Sequence, residues 1–188
     1  FTVTAGQIGQ VFAVALDDAV PPNIFLAASS AYGLPIVVQG ASDVLTRIRQ
    51  GTPGAAFMPG LFGPPTAGGS PGSIWRIDGV TGDVRLFVDV QLDGVPNSGP
   101  ALGGLAFDSA SGLLFASDRD TGMIHAFDRQ GVERARFDHG TTGRGAAGVE
   151  PVAFDPAKRL DIASPRFLAG DPTTWGYAPA ERLVYGLA

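Results

Sequence analysis

One phrase recurs in this chain and constrains its fold more than any other feature. It is a short apolar run that ends in Asp, followed by a Gly-bearing turn and another run. It is clearest where LGGLAFD (102–108), LLFASD (113–118), MIHAFD (123–128) and VERARFD (132–138) succeed one another with Ser-Gly, Thr-Gly and Gln-Gly in the gaps. Short connections carrying such residues are hairpin turns, so these runs predict a four-stranded antiparallel meander. The first run has no charge before its Asp, as a buried inner strand requires. The fourth alternates Val132, Arg134 and Arg136 with Glu133, Ala135 and Phe137, the pattern of a half-exposed edge.

The phrase is written elsewhere too. VEPVAFD (149–155) repeats LGGLAFD, GSIWRID (72–78) repeats GMIHAFD (122–128), and DVRLFVD (83–89) repeats VERARFD. Upstream, VFAVALD (11–17) is another inner-strand phrase, followed by NIFLAAS (23–29) and LPIVVQG (34–40), and AAFMPG (55–60) falls where a further copy begins. A period of about 45 residues is that of a propeller blade. The expectation is an all-β fold, a β-propeller of four-stranded antiparallel blades, in one domain over 1–188. The blades are about 11–50, 55–90, 102–138 and 149–178, and a fifth begins at 182. A β-sandwich also consists of short strands and turns; repetition of one strand ending favours the propeller. Such a count does not close a ring, so missing blades or a partner chain are needed for closure. Phe1 in place of Met and an end inside the apolar run RLVYGLA suggest an incomplete piece of a longer propeller.

Composition agrees with strands and turns: 27 Gly and 15 Pro stand against 16% charged residues. The net charge is −5, and the cations, a single Lys158 among scattered Arg, form no basic stripe. That argues against nucleic acid as a partner. No apolar run approaches the roughly 18 residues of a membrane helix, so no membrane span is expected. The chain has no cysteine, which excludes disulfides, thiolate catalysis and Cys-bound zinc. The compartment stays open, with a periplasmic or secreted one favoured.

GGLAFDSASGLLFASDRDTGMIHAFD (103–128) resembles the blade phrase of the six-bladed propellers related to senescence marker protein 30, gluconolactonases and NHL-repeat proteins. In that group an inner strand NGLAF, a strand ending in SD and a strand ending in FD follow in this order. The resemblance implies a six-bladed fold and, for the lactonase members, a divalent metal at the mouth of the central tunnel. Its ligands there are a Glu, Asn residues before inner strands and the Asp of the SD phrase. Only Asp118 sits on that motif; Gly103 or Gly104 stands where the group has Asn, and Asn97 lies in the preceding loop.

Other motifs carry bland readings. GRGAAG (143–148) fits G-x-G-x-x-G but leads into another strand phrase, so it reads as a connecting loop rather than a dinucleotide site. DRDTG (118–122) starts like a calcium loop yet lacks its later ligands, and reads as a hairpin turn whose Asp accepts local N–H groups. His125 and His139 lack zinc-site spacing, and no G-x-S-x-G elbow is present. Trp75 and Trp175 read as packing residues. SDVLTRIRQG (42–51) has helical spacing but is taken as the outer strand of the first blade.

Two functions are carried forward. One is a binding or scaffolding module that presents loops on one face to a small-molecule or protein ligand. The other is a metal-dependent, lactonase-like hydrolase. In it Asn97, Asp118 and Glu150 would hold calcium or another divalent metal, Asp118 would serve the chemistry and Arg119 would orient an anionic group.

Overall fold

A computed structural model of the chain describes residues 2–30, 33–40, 44–159, 161–165 and 178–187. After a single helical turn, α1 (Ala5–Ile8), come β1 (Val11–Leu16) and β2 (Ile24–Ala28). An excursion then carries β3 (Ile36–Gln39), β4 (Leu45–Arg47) and β5 (Ala56–Phe57) before β6 (Ser73–Ile77) and β7 (Val84–Asp89). A two-stranded hairpin, β8 (Gln91–Leu92) and β9 (Val95–Pro96), leads into β10 (Leu102–Asp108), β11 (Leu113–Asp118), β12 (Met123–Phe127) and β13 (Glu133–Asp138). The fold is all-β with antiparallel sheets, none of them closed. Among the described residues no helix is long and apolar enough to cross a membrane.

The segment 102–138 forms the expected four-stranded meander, in the order β10-β11-β12-β13. The blade boundaries upstream need correction. The expected sheets over 11–50 and 55–90 do not form separately: β1 and β2 join β6 and β7 in one sheet, ordered β1-β2-β6-β7. The residues between β2 and β6 are an insertion, in which β4-β3-β5 make a small sheet of their own. The run 42–51 does supply a strand, β4, but it pairs with β3 in that insertion; residues 41–43 lie outside those described. The expected blade over 149–178 contains no strand among its described residues, and 160 and 166–177, with Trp175, lie outside them. Pro151 and Pro156 bracket the run 151–155 and remove ladder donors. It is held instead by the Val152 N–H donating to the Gly140 carbonyl at 2.8 Å. Residues 182–187, read as the start of a fifth blade, form no strand pairing; Arg182 ends a short 3-10 turn.

The two four-stranded sheets are versions of one another. Both carry a bulge at the same place in their first strand: Val11 and Ala13 pair with Ala28 and Ala27, and Leu102 and Leu105 pair with Asp118 and Ala116. Matching GSIWRID to GMIHAFD sets Leu26 against Ala116 and Ala27 against Ser117. The first sheet turns Ala13, Ala15, Phe25, Ala27 and Ile74 to its neighbour, whereas the second answers with Leu105, Leu114, Ala116 and Phe127. Phe25 and Leu114 are two of the anchors of that core, and the Phe25 and Phe87 rings meet edge to face at 4.9 Å. By the repeat match these faces are not equivalent, so the sheets stack head to tail. Equal sequence spacing gives matching burial at Phe107 and Phe154, both half-buried, but not at Ile74, which is fully buried, and Ile124, which is half-buried. Ile74 lies in the central core, whereas Ile124 faces away from it on the outer side of its sheet.

The Asp that closes the recurring phrase does one local job at most of its positions, though not at Asp89, whose carboxylate accepts the Ser70 hydroxyl and the Gln91 side-chain amide. At Asp17, Asp78, Asp108, Asp118, Asp128, Asp138 and Asp155 the carboxylate accepts the backbone N–H two residues ahead, opening the turn. The N–H of Thr81, the Ser111 hydroxyl and the N–H of Val132 lead the interactions that hold Asp78, Asp108 and Asp128 below the usual carboxylate range. Asp17 and Asp138 are lowered as well, burial being outweighed by their hydrogen bonds. A lowered carboxylate adds stability that is fully present above its unfolded value, about 3.9, and is lost as pH falls through the folded value. The urea midpoint should therefore be flat from pH 7 to about 5 and fall below that. A midpoint that rises on acidification would remove this role for the turns.

Candidate functional site

The residues named from sequence converge on the end of β11. Asp118 closes that strand with its side chain turned inward, 2% exposed. Its Oδ1 accepts the Asp120 N–H at 2.9 Å and its Oδ2 accepts the Thr121 hydroxyl at 2.6 Å. Asn97, from the loop before β10, donates its Nδ2 to Asp118 Oδ1 at 2.7 Å. The Asn97 Oδ1 in turn accepts the N–H groups of Gly99 and Ala101 at 2.9 and 3.1 Å, which shapes the loop and supports Ala101 at a positive φ of 60°.

Asp120, beside them, is 1% exposed and receives the Ser98 N–H at 2.8 Å and the Ser98 hydroxyl at 2.7 Å. Burial pushes its carboxyl up, against the Ser98 hydrogen bonds. Sequence reasoning missed this residue's partner, although Ser98 follows Asn97 directly.

The donor set does not fit a shared metal ion. A cation would need oxygens turned toward it, but Asn97 presents an N–H to Asp118 and keeps its oxygen for two backbone donors. Glu150 is exposed, and among the described residues no group of three or more His, Asp or Glu side chains is arranged to hold a metal. Asn97 and Asp118 are thus brought together as a hydrogen-bonded pair, and Glu150 is not brought to them.

Arg119 is turned inward as well. It is 3% exposed, and its Nη1 donates to the Ser29 and Ser30 hydroxyls, both at 3.2 Å, and to the Pro100 carbonyl at 2.9 Å. Its guanidinium also lies over the Tyr185 ring at 5.1 Å. It ties the end of β2 to the second sheet, where an anion-orienting role was expected. No local signal reveals this, because Ser29 and Ser30 are distant in sequence.

His125 was read as unremarkable, yet it is the most unusual side chain here. It is fully buried, and its Nδ1 donates to Glu133 Oε1 at 2.8 Å. Arg136 clamps the same carboxylate from Nε and Nη2, both at 3.0 Å. The other ring nitrogen, Nε2, has no hydrogen-bond partner and stands 3.9 Å from Asp118 Oδ2. The imidazole thus lies between two carboxylates, a neutral ring turning a lone pair to Asp118 and a protonated one an N–H. His125 shares the core face with Leu105 and Ala116 and is fully buried there, while its partner Glu133 stays partly exposed.

Arg182, the other residue missed, is fully buried. It donates from Nε and Nη2 to the Thr121 carbonyl at 3.0 and 2.9 Å and pairs with Asp138 at 2.8 Å. Beyond it, residues 184–187 lie directly on Gly103 and Gly104. A Cβ on Gly104 would sit 2.7 Å from the Leu187 nitrogen. These glycines are required by backbone approach, and that is the physical reason no ligand-bearing side chain stands there.

A shallow cleft of about 380 Å³ lies elsewhere, in the insertion, lined by Gly33, Leu34, Pro35, Ile36, Arg47 and Ile48. No protein-family model matches the chain, and no curated protein is found to match it.

Proposed function

We propose that the chain is part of a β-propeller of the six-bladed kind its blade phrase resembles, working as a binding or scaffolding module. The observation that carries this is the head-to-tail stacking of two four-stranded meanders whose first strands share a bulge. Head-to-tail contacts between repeated units are what build rings. The polar residues at the end of β11 brace the frame, which leaves loops and the insertion with its cleft to present a small molecule or a protein with a surface.

One observation favours the hydrolase reading: Asn97 and Asp118 do come within reach of each other. The same hydrogen bond argues against a metal there, as set out above. The test is a titration with calcium and with magnesium followed by thermal denaturation. On the binding-module reading neither ion raises Tm, and Asp118→Asn lowers stability by about 1–2 kcal/mol through its turn and the Asn97 and Thr121 contacts. A metal-dependent rise in Tm, with lactone turnover abolished by Asp118→Asn, would replace this reading by the hydrolase.

A further inference from the structure

Because the two sheets meet through unlike faces, the stack has two unlike ends. At one end β1 turns Val14 and Leu16 away from the central core, and they are 55% and 53% exposed. Their row-mates Leu26, Ile24, Trp75 and Ile77 belong to a face covered by Val3 and Ile8, so the open strip is confined to the first strand. By the repeat match this strip corresponds to Leu105 and Phe107 of β10, which pack against the first sheet in the middle of the molecule.

At the other end, residues 184–187 cross Gly103 and Gly104. Gly104 is the counterpart of Ala13, which faces β10 across the central core. The tail therefore takes the place of the first strand of a third layer. Among the described residues nothing covers its far side at Gly186, where an added Cβ meets no atom within 4 Å.

Among the described residues, an interface between unlike faces leaves one half of the same contact uncovered at each end of this stack. We propose that two copies of this chain associate head to tail, the open side of 183–187 in one copy seating on Val14 and Leu16 of the other, and reciprocally. This rests on the same stacking as the propeller reading. The contact is apolar and each copy carries a net charge of −5, so salt strengthens it by screening their repulsion.

The test is sedimentation equilibrium over a concentration series from about 1 to 500 µM, the micromolar range expected of a small interface. The expected result is a mass that doubles toward high concentration, more readily at higher salt. Leu16→Arg and Gly186→Arg, both at exposed positions, should each hold the chain at monomer mass with an unchanged circular dichroism spectrum; Val14→Lys is a second probe of the β1 end. Mixing the Leu16→Arg and Gly186→Arg chains should restore the heavier species, because one wild-type contact survives between them. Three outcomes would overturn the proposal: a monomer throughout, a dimer indifferent to both substitutions, or a mixture that fails to recover. A monomer throughout would leave the binding-module reading standing, since the metal titration tests that separately.

Discussion

Arg182→Ala should lower stability by about 3–5 kcal/mol, the range for breaking a buried ion pair by removing one partner. The guanidinium is fully buried, and it joins three parts of the chain. It takes the Thr121 carbonyl in the turn after β11, the Asp138 carboxylate at the end of β13, and the Val152 carbonyl in the stretch that replaces the expected fourth blade. Alanine would leave those acceptors without their donor and loosen the tail from Gly122, where an added Cβ would run into Arg182. Arg182→Lys should recover only part of the loss, because one ammonium cannot serve acceptors spread around a planar fork. In a chain of this size such a loss lowers Tm by roughly 6–20 °C. Urea denaturation with an unchanged m-value would measure it. A loss below about 1 kcal/mol, the level of an exposed pair, would mean the tail does not stay docked in solution.

The part of the fold that the sequence discloses is the part in which neighbours in sequence are neighbours in space. The four runs from Leu102 to Asp138 pair in order because each turn is short and carries its own Gly and Asp. The first sheet obeys the same rule, but an insertion splits it between its second and third strands, and no local pattern reports such a pairing. The clue was nevertheless present. GSIWRID matches a third-strand phrase, so its first and second strands had to be VFAVALD and NIFLAAS, whatever lay between. At the site, the turn bond that Asp118 accepts from a backbone N–H was legible because it follows from one hairpin. The burial of Arg119 and Arg182 was not, since each depends on carbonyls and hydroxyls brought from far along the chain.

Trp75→Ala should cost about 3–5 kcal/mol, the usual loss for truncating a buried large aromatic. Trp75 is 2% exposed on β6, on the face of the first sheet away from the central core, where it packs with Leu26 and Ile77. Its Nε1 donates to the Phe62 carbonyl at 2.9 Å, and the backbone at Gly63, held at a φ of 95°, lies against the ring. The indole therefore does two things. It fills the outer layer beneath Val3 and Ile8, and it pins the end of the insertion onto the sheet the insertion interrupts. Trp75→Phe separates them: the ring still fills most of the space, while the Phe62 carbonyl loses its donor. That variant should lose about 1–3 kcal/mol, the penalty of an unsatisfied buried acceptor, on top of a small packing loss. Gly63→Ala should fail by a different route, since its Cβ would enter the indole ring and the backbone there is left-handed. If all three variants melt like the parent, the insertion is not docked on this face. If Trp75→Ala melts early but keeps the circular dichroism of the β10–β13 sheet, the two head-to-tail units unfold separately, and the first is the weaker because its strands are not contiguous.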